Sequence, residues 1–408
     1  TSYIKHGQPK KALHLYRQSS IQAVSESVNN NLFLLPCVFS ILLKACGEMK
    51  DIETGYELHV DIAQKGLLEN ENHLFVGNAL ISMYAKCGSL VRAHQVFDDL
   101  RVRNVVSWNT LIGGYVSHGH GKEALMYFKE MKHKDEGVSP NPVSFLCALK
   151  ACGIVRDIEQ CEEIHAEISR QGLLMTNVQL GSTLLDVYAK LGFLEKAQDV
   201  FEMLPVKDVV SWTSMIVAYV GYKLCDIAFE VFQSMIEQSV NPDSITFISI
   251  LSACTHPLSL QLGQNIHAKI VERGLQYDVV LGNSLLTMYG KCGSLINAQM
   301  VFESMHEKNT ISWNALISFH INSSNIGTAF KLFQQMVLSS VKLDKVSFLN
   351  ILSICIGEDL TDQGRLIHMA VAENGFEKDM EVMNALIMMY GKCGNVIDAK
   401  GVFDKFQH

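Results

Sequence analysis

Apolar residues recur three or four positions apart along most of the chain, which is the spacing that places side chains on one face of an α-helix. Within residues 279–309, Leu281 and Leu285 belong to such a stripe. Gly293 is placed to end this first helix, and Ser294 is placed to cap the helix that follows. No segment alternates strictly between apolar and polar residues, so the pattern predicts an all-α fold built from pairs of helices.

The pattern repeats with a long period of about 100 residues, which indicates a repeat protein. Trp108, Trp212 and Trp313 are 104 and 101 residues apart, and each follows a serine. One set of histidines and two sets of cysteines keep the same spacing. These are His59, His165, His267 and His368, then Cys46, Cys152, Cys254 and Cys355, and finally Cys87, Cys292 and Cys393.

Each long period divides into three shorter repeats, whose lengths cluster near 31 and 35 residues. Such lengths are typical of helix-turn-helix solenoids, in which one helix pair buries its apolar face only by stacking on its neighbours. We therefore expect residues 1–408 to form one solenoid. The predicted repeats are 36–73, 74–104, 105–141, 142–177, 178–208, 209–243, 244–278, 279–309, 310–344, 345–379 and an incomplete 380–408, with 1–35 as the end of an earlier repeat.

Composition narrows the possible functions. Hydrophobic residues make up 48% and charged residues 19% of the chain, which predicts a large core rather than disorder. The apolar runs are too short to cross a membrane, which takes about 20 residues. The net charge is −8, whereas a protein that binds nucleic acid mainly through phosphates is basic. Any nucleic-acid binding must therefore depend on base contacts or on a local basic stripe.

The repeats resemble those of the plant pentatricopeptide repeat (PPR) family. Val105-Val106-Ser107-Trp108-Asn109, together with Pro140-Asn141 at the end of that repeat, resembles the standard P repeat of the family. Leu43-Lys44-Ala45-Cys46 resembles the long L repeat, and Tyr84-Ala85-Lys86-Cys87-Gly88 resembles the short S repeat. The predicted L repeats are 36–73, 142–177, 244–278 and 345–379, the S repeats are 74–104, 178–208, 279–309 and 380–408, and the P repeats are 105–141, 209–243 and 310–344.

This alternation resembles the PLS subclass, and the resemblance implies a right-handed superhelical solenoid that is truncated here at both ends. The chain begins at Thr1, so we expect any targeting segment to lie upstream. The resemblance also implies that the chain binds single-stranded RNA in a mitochondrion or chloroplast, about one base per repeat. Membrane or DNA binding is not expected.

In the family, the fifth and the last residue of a repeat read the base. An asparagine amide offers a donor and an acceptor, which suits a pyrimidine, whereas a shorter serine or threonine leaves room for a purine. The resulting target is 5′-YYNGGNYU-3′, with cytosine favoured among the pyrimidines at its first two bases and the amino end of the protein at the 5′ side. The reader pairs are Asn78 with Asn104, Asn109 with Asn141, Ser182 with Asp208, Thr213 with Asp243, Asn283 with Asn309, and Asn314 with Asp344, while Asn384 has no second reader.

Two further positions follow from the resemblance. Apolar residues near the readers would sandwich the bases, namely Val106, Val210, Val280 and Ile311. In the L repeats the fifth residues are Ser40, Leu146, Ile248 and Leu349. Three of these four side chains are apolar and donate no hydrogen bond, so we interpret the L repeats as spacers or weak readers.

Each reader also has a purely structural interpretation. Ser107, Ser211 and Ser312 are candidates to cap the first helix, and Asn109 and Asn314 would then occupy its polar first turn. Carboxylates just before a helix, at Asp208, Asp243 and Asp344, also favour the helix dipole without any ligand. The recurrence of small polar residues at the same two positions, surrounded by apolar ones, favours base reading.

The candidate catalytic signals are weak. His165-Ala166-Glu167 matches half of a zinc deaminase signature, but the glutamate is absent from the equivalent repeats and no Cys-x-x-Cys occurs. We interpret the recurrent cysteines as small buried helix residues and the recurrent histidines as helix packing. The sequence therefore predicts a non-enzyme without a metal or another cofactor.

Three functions remain open. The chain is expected to be a specificity factor for C-to-U RNA editing, acting with editing-factor protein partners. The alternatives are a helical-repeat scaffold that binds a protein in its groove, and an organellar RNA stability or splicing factor that uses the same surface.

Overall fold

The computed structural model describes residues 35–68, 73–133, 138–357 and 360–406. The chain divides between Met215 and Ile216 into two compact units. The regular elements of the described residues are all helical, so the predicted all-α fold is confirmed. The predicted partial repeat 1–35 lies outside the described residues except for Leu35.

In the first unit, the first helix of each repeat packs on its own second helix and on the first helices of neighbouring repeats. The helices of this unit are α1 (Leu35–Met49), α2 (Ile52–Gln64), α3 (Leu74–Lys86), α4 (Leu90–Asp99), α5 (Val105–Ser117), α6 (Gly121–His133), α7 (Pro142–Val155), α8 (Ile158–Arg170), the short α9 (Leu173–Thr176), α10 (Val178–Leu191) and α11 (Leu194–Met203). Helix α12 (Val209–Gly221) contains the division between the units.

The second unit has the same organisation, with consecutive first helices α14, α16, α18, α20 and α22 packed side by side. Its helices are α13 (Cys225–Glu237), α14 (Ser244–Ala253), α15 (Leu260–Glu272), α16 (Val279–Lys291), α17 (Leu295–Ser304), α18 (Thr310–Asn322), α19 (Ile326–Leu338), α20 (Lys345–Ile354), α21 (Thr361–Glu373), α22 (Met380–Lys392) and α23 (Val396–Phe406). A 3₁₀ turn, Pro257–Ser259, precedes α15.

The turn between the helices of residues 279–309 differs from the prediction in one detail. Gly293 has a φ of +77° just after the end of α16, as expected for a glycine that ends a helix. Ser294 occupies the N-cap position of α17, but its side chain makes no capping hydrogen bond to the backbone. Instead its Oγ accepts a hydrogen bond from Asn297 Nδ2 at 2.9 Å, which binds the hydroxyl to a side chain of the same first turn.

The tryptophans join adjacent repeats. Each packs edge-on against a phenylalanine from the preceding second helix, with ring centroids 4.7–4.8 Å apart. The pairs are Phe97 with Trp108, Phe201 with Trp212, and Phe302 with Trp313. All three tryptophans are buried, and such aromatic pairs contribute about 0.5–1.5 kcal/mol beyond burial of their area.

The recurrent histidines also link adjacent repeats. The Nδ1 atom of each lies 2.9–3.1 Å from the hydroxyl of a buried tyrosine on the next first helix, and the rings meet edge-on. Burial lowers the pKa of His59, His165 and His267, which favours the neutral ring. The pairs are His59 with Tyr84, His165 with Tyr188, His267 with Tyr289, and His368 with Tyr390.

Three pairs of recurrent cysteines pack at the same junctions. All eleven are free thiols. Burial raises the pKa of Cys254 and of Cys355 to about 12, so both stay protonated at neutral pH. In three junctions the Sγ atom of one recurrent cysteine lies 3.6–3.9 Å from the backbone oxygen of another. These contacts join Cys87 to Cys46, Cys292 to Cys254, and Cys393 to Cys355.

A glycine faces a methionine at three of these junctions. A Cβ atom on Gly263 would lie 2.4 Å from Met288 Sδ, and the pairs Gly55 with Met83 and Gly364 with Met389 are equally close. In the remaining triplet the equivalent residues are Cys161 and Val187. The larger residue on one helix is thus matched by a smaller one on the other, which conserves the packed volume.

The histidine–tyrosine pairs make a testable contribution to stability. Tyr289→Phe removes the hydroxyl that pairs with His267 and leaves a partly buried ring nitrogen without this partner. We expect the free energy of unfolding in urea to fall by about 1 kcal/mol. Tyr277→Phe is the control, because Tyr277 is more than half exposed and keeps its stacked contact with His306 as a phenylalanine. Equal stability of the two variants would contradict this role.

Candidate nucleic-acid interface

The last residue of one repeat caps the first helix of the next. Asn104, Asn141, Asp243, Asn309 and Asp344 are the N-caps of α5, α7, α14, α18 and α20. In each case the side-chain Oδ1 accepts a hydrogen bond from the backbone N–H of the third helical residue. The hydroxyl oxygen of that residue accepts one from the N-cap backbone N–H in return. This reciprocal arrangement is a capping box, which satisfies backbone N–H groups that a helix start otherwise leaves unpaired.

The serines that the sequence suggested as N-caps do not occupy the N-cap position. Ser107 and Ser312 are the third residues of α5 and α18, inside the helix, and they complete the capping box instead of forming the N-cap. Ser211 is related but not identical. Its backbone N–H donates to Asp208 Oδ1 at 2.8 Å, and its hydroxyl donates to the Asp208 backbone oxygen at 2.8 Å.

Four of the six predicted reader pairs are joined by a hydrogen bond between the two readers. The fifth residue donates and the Oδ1 atom of the last residue accepts, although the two lie 26 to 32 positions apart in sequence. The distances are 3.0 Å from Asn109 to Asn141, 3.0 Å from Ser182 to Asp208, 3.3 Å from Asn283 to Asn309, and 2.8 Å from Asn314 to Asp344.

Each last residue in these four pairs uses only one of its two polar atoms. Its Oδ1 accepts hydrogen bonds from the backbone N–H at the helix start and from the fifth residue of the same repeat. Its second polar atom has no hydrogen-bond partner among the described residues. The second atom is an amide Nδ2, a donor, in Asn141 and Asn309. It is a carboxylate Oδ2, an acceptor, in Asp208 and Asp344.

The fifth residues add a second feature. Asn109 Oδ1 and Asn314 Oδ1 are buried and have no partner within the part of the chain that the structure describes. Asn314 as a whole is only 6% exposed. A buried acceptor without a donor costs about 1–3 kcal/mol. Because both oxygens are shielded from solvent, a ligand would remove that penalty by donating a hydrogen bond only once the asparagine side chain turns towards it.

The remaining predicted readers are arranged differently. Asn78 is half-buried with an unpartnered Oδ1, and no hydrogen bond to Asn104 is found among the described residues. Thr213 is buried in the first unit, whereas Asp243 caps α14 in the second. Asn384 is exposed on α22.

The predicted sandwiching residues are exposed although they are apolar. Val106, Val210, Val280 and Ile311 have 50–62% of their surface accessible, each as the second residue of its helix. Applying the same register to the other repeats identifies further exposed apolar residues that the sequence analysis missed. These are Phe75, Val143, Ile245 and Val346, of which the last three lie in predicted L repeats.

A pocket of about 320 Å³ in the second unit brings these features together. Its lining includes the readers Asn283 and Asn309 and the apolar Val280 and Ile311. Ile248, the fifth residue of the neighbouring L repeat, also contributes. The other fifth residues of this class are Leu146, which is buried, Leu349, which is half-buried, and Ser40, whose hydroxyl donates to Cys37 O.

A lysine lies at the end of the first helix of each predicted S repeat or one residue before it, eight residues after the fifth-position residue. All four lysines are exposed, and Lys291 lines the pocket that contains Asn283. A cation at this position also favours the negative end of the helix dipole. The lysines are Lys86 and Lys190 in the first unit and Lys291 and Lys392 in the second.

Among the described residues no group of three or more His, Cys, Asp or Glu side chains is placed to hold a metal ion, and His165 pairs with Tyr188. Within the same ranges, no helix has both the length and the apolar character that a bilayer span requires.

Family models match more than half of the chain. The model described as "PPR repeat family" matches residues 103–153 and 207–256. The model described as "Pentatricopeptide repeat domain" matches 265–323. The model described as "PPR repeat" matches 78–105, 182–209, 311–341 and 381–408. These are families of repeats, so over the matched residues the chain consists of helical repeats, as expected, rather than an enzyme domain.

Curated relatives come from Arabidopsis thaliana. The chain is 33% identical to "Pentatricopeptide repeat-containing protein At4g25270, chloroplastic" over 367 residues, which cover 89% of this chain and 67% of the relative. It is 29% identical to "Pentatricopeptide repeat-containing protein At3g09040, mitochondrial" over 440 residues, which cover 92% and 42%. The chain thus spans about half the length of the relatives it matches.

Among solved structures, the fold is similar to that of PPR10 in complex with an 18-nt psaJ RNA element. The TM-score is 0.72 at 20% identity, covering 98% of this chain and 58% of that one. A structure of PPR10 from maize gives a TM-score of 0.56 at 18% identity, covering 99% and 57%. At this level of identity the similarity concerns the fold.

Proposed function

This chain belongs to the pentatricopeptide repeat family, and from that premise we propose that it binds single-stranded RNA sequence-specifically, reading bases with its fifth and last repeat residues. The observation that carries the proposal is the set of four hydrogen-bonded reader pairs, each with a polar atom left free. The structural role of these residues is complete without that atom. A free atom of defined chemistry, repeated at one position per helix pair, suits the reading of one base per repeat.

The free atoms account for the predicted bases. Asn314 with Asp344 offers the acceptors Asn314 Oδ1 and Asp344 Oδ2, and the N3–H of uracil needs an acceptor. In the pair of Ser182 and Asp208, the hydroxyl has Asp208 Oδ1 and the Val178 backbone oxygen as acceptors, both at 3.0 Å, and the free Asp208 Oδ2 presents an acceptor to the N–H groups of guanine. Asn109 with Asn141 offers an acceptor and a donor, which suits a pyrimidine.

Apolar and basic residues support the same function. Exposed side chains such as Val280 and Ile311 provide surfaces for the faces of a base, since every base has an apolar face. The lysines near the ends of the predicted S-repeat first helices supply local positive charge that a chain of net charge −8 needs for phosphate contacts, and Lys291 lines the same pocket as Asn283. These lysines favour RNA over a protein ligand, which is the alternative for the same surface.

The proposed target is 5′-YYNGGNYU-3′, in a mitochondrion or chloroplast. Relatives named chloroplastic and mitochondrial support an organellar location. The alternation of three repeat types supports a role as a specificity factor for C-to-U editing with editing-factor protein partners. RNA stabilisation or splicing would use the same base-reading surface.

Changing one reader tests the proposal. Ser182→Asn, facing Asp208, reproduces the combination found in Asn314 with Asp344. We expect the preferred base at the fourth position of the octamer to change from guanine to uracil. The measurement is competition binding with octamers that differ only at that base.

The control for this experiment is Ser234→Asn, because Ser234 is half-buried on the second helix α13 and its hydroxyl bonds only to the Glu230 backbone oxygen among the described residues. It should leave the preference for guanine unchanged. An unchanged preference in Ser182→Asn, with wild-type affinity and fold, would contradict base reading by this residue.

The lysines make a separate prediction. In the double variant Lys291→Gln, Lys392→Gln, the slope of log affinity against log salt should become shallower by about 1.4, since each phosphate contact on a single strand contributes about 0.7. The matched control is Lys331→Gln, Lys400→Gln, which removes the same charge from exposed positions on second helices. Equal slopes for the two double variants would show that Lys291 and Lys392 do not contact phosphates.

A further inference from the structure

Two predicted reader pairs consist of two asparagines each, but the fifth-position amide oxygen has a hydrogen-bond partner in only one of them. In the pair of Asn109 and Asn141, the Asn109 Oδ1 atom is buried and has no partner in the described residues. In the pair of Asn283 and Asn309, the hydroxyl of Ser312 lies 2.6 Å from Asn283 Oδ1. Ser312 belongs to the next repeat, so a residue outside the pair occupies its acceptor.

The single hydroxyl proton of Ser312 has two acceptors within reach. Asn283 Oδ1 lies at 2.6 Å and Asn309 Oδ1 at 3.0 Å, and the shorter contact is the stronger hydrogen bond. Asn309 Oδ1 keeps its bond from the Ser312 backbone N–H at 3.0 Å, so the cap does not require the hydroxyl proton. The equivalent residue of the other pair, Ser144, donates to Asn141 Oδ1 at 3.1 Å.

The occupied acceptor changes what the pair presents to a base. Asn283 donates one amide hydrogen to Asn309 and keeps the other, and the Nδ2 group of Asn309 remains free. The pair therefore offers donors, whereas Asn109 with Asn141 offers a free acceptor as well. Cytosine presents two adjacent acceptors, N3 and O2, whereas uracil has an N3–H donor between its two oxygens.

We propose that Ser312 makes the repeat 279–309 selective for cytosine over uracil, while the repeat 105–141, with the same two readers, accepts both pyrimidines. This inference rests on the proposed RNA binding and assigns a specificity-determining position outside the two-residue pair. Ser312 acts through Asn283 and is thus a positioning residue. Val280 and Ile311 line the pocket that contains Asn283 and Asn309, and they would contact the two faces of either pyrimidine.

The test uses the whole 408-residue chain and octamers that carry cytosine or uracil at the second or the seventh base. The second base pairs with repeat 105–141 and the seventh with repeat 279–309. For the wild type we expect cytosine to be favoured about tenfold at the seventh base, because uracil would leave a buried N–H unpaired there. At the second base the two pyrimidines should bind within about threefold of each other, because Asn109 Oδ1 has no partner among the described residues and can accept from either base once the side chain turns towards it.

Ser312→Ala frees the Asn283 carbonyl, so the preference for cytosine at the seventh base should fall to the level seen at the second. Ser312→Thr should keep the preference, because threonine retains the hydroxyl and Thr246 completes the same capping box at the start of α14. Ser144→Ala is the matched control. It removes the equivalent hydroxyl from a capping box and should leave the second-base preference unchanged.

Full cytosine preference in a folded Ser312→Ala variant would overturn the inference. Equal pyrimidine preferences at the two positions of the wild type would overturn it as well, while sequence-specific binding of the octamer would still support the proposed function. Absence of RNA binding by the folded wild type would overturn the proposed function together with this inference.

Discussion

The start of each first helix sets the constraint on which the rest of the structure depends. Its first backbone N–H groups have no partner inside the helix, and the last residue of the preceding repeat supplies one. At Asn141, Asn309 and Asp344, the same Oδ1 atom also accepts a hydrogen bond from the fifth residue of the preceding repeat. Replacement of such a cap by alanine typically costs about 1 kcal/mol, so the geometry of these side chains is secured by folding itself. The orientation of the second polar atom follows from that geometry.

Under the proposed function, one atom of the side chain maintains the helix start and the other recognises the base. Aspartate and asparagine both provide Oδ1, so either maintains the helix start, and they differ only in the outer atom, which is an acceptor in one and a donor in the other. Around that atom the repeats provide surroundings of the same kind, with an exposed apolar residue at the second helical position and, in the predicted S repeats, a lysine after the reader. The junctions behind it, with their histidine–tyrosine and phenylalanine–tryptophan pairs, repeat with little change. Variation in the readers therefore leaves the fold intact.

Much of this organisation follows from the sequence, because a repeated pattern gives positions reliably. The predicted repeats and the observed first helices share their first residue from Leu74 onward, and the readers recur at fixed places within them. Orientation was harder to predict. Ser107 and Ser312 are inside their helices rather than capping them, because the residue before the helix already provides the cap. The amide of Asn283 differs from that of Asn109 because a hydroxyl from the next repeat reaches one and not the other, and spacing within a repeat contains no information about that contact.

The most direct measurement compares Asp344→Asn with Asp344→Ala for stability and for base preference. Asp344→Asn keeps Oδ1 and changes only the outer atom, so the free energy of unfolding should stay within about 0.5 kcal/mol of the wild type. The preferred base at the eighth position should change from uracil towards cytosine. Asp344→Ala should lose about 1 kcal/mol together with the preference. If Asp344→Asn were as unstable as Asp344→Ala, or if it kept the uracil preference, capping and reading would not be divided between the two atoms of this side chain.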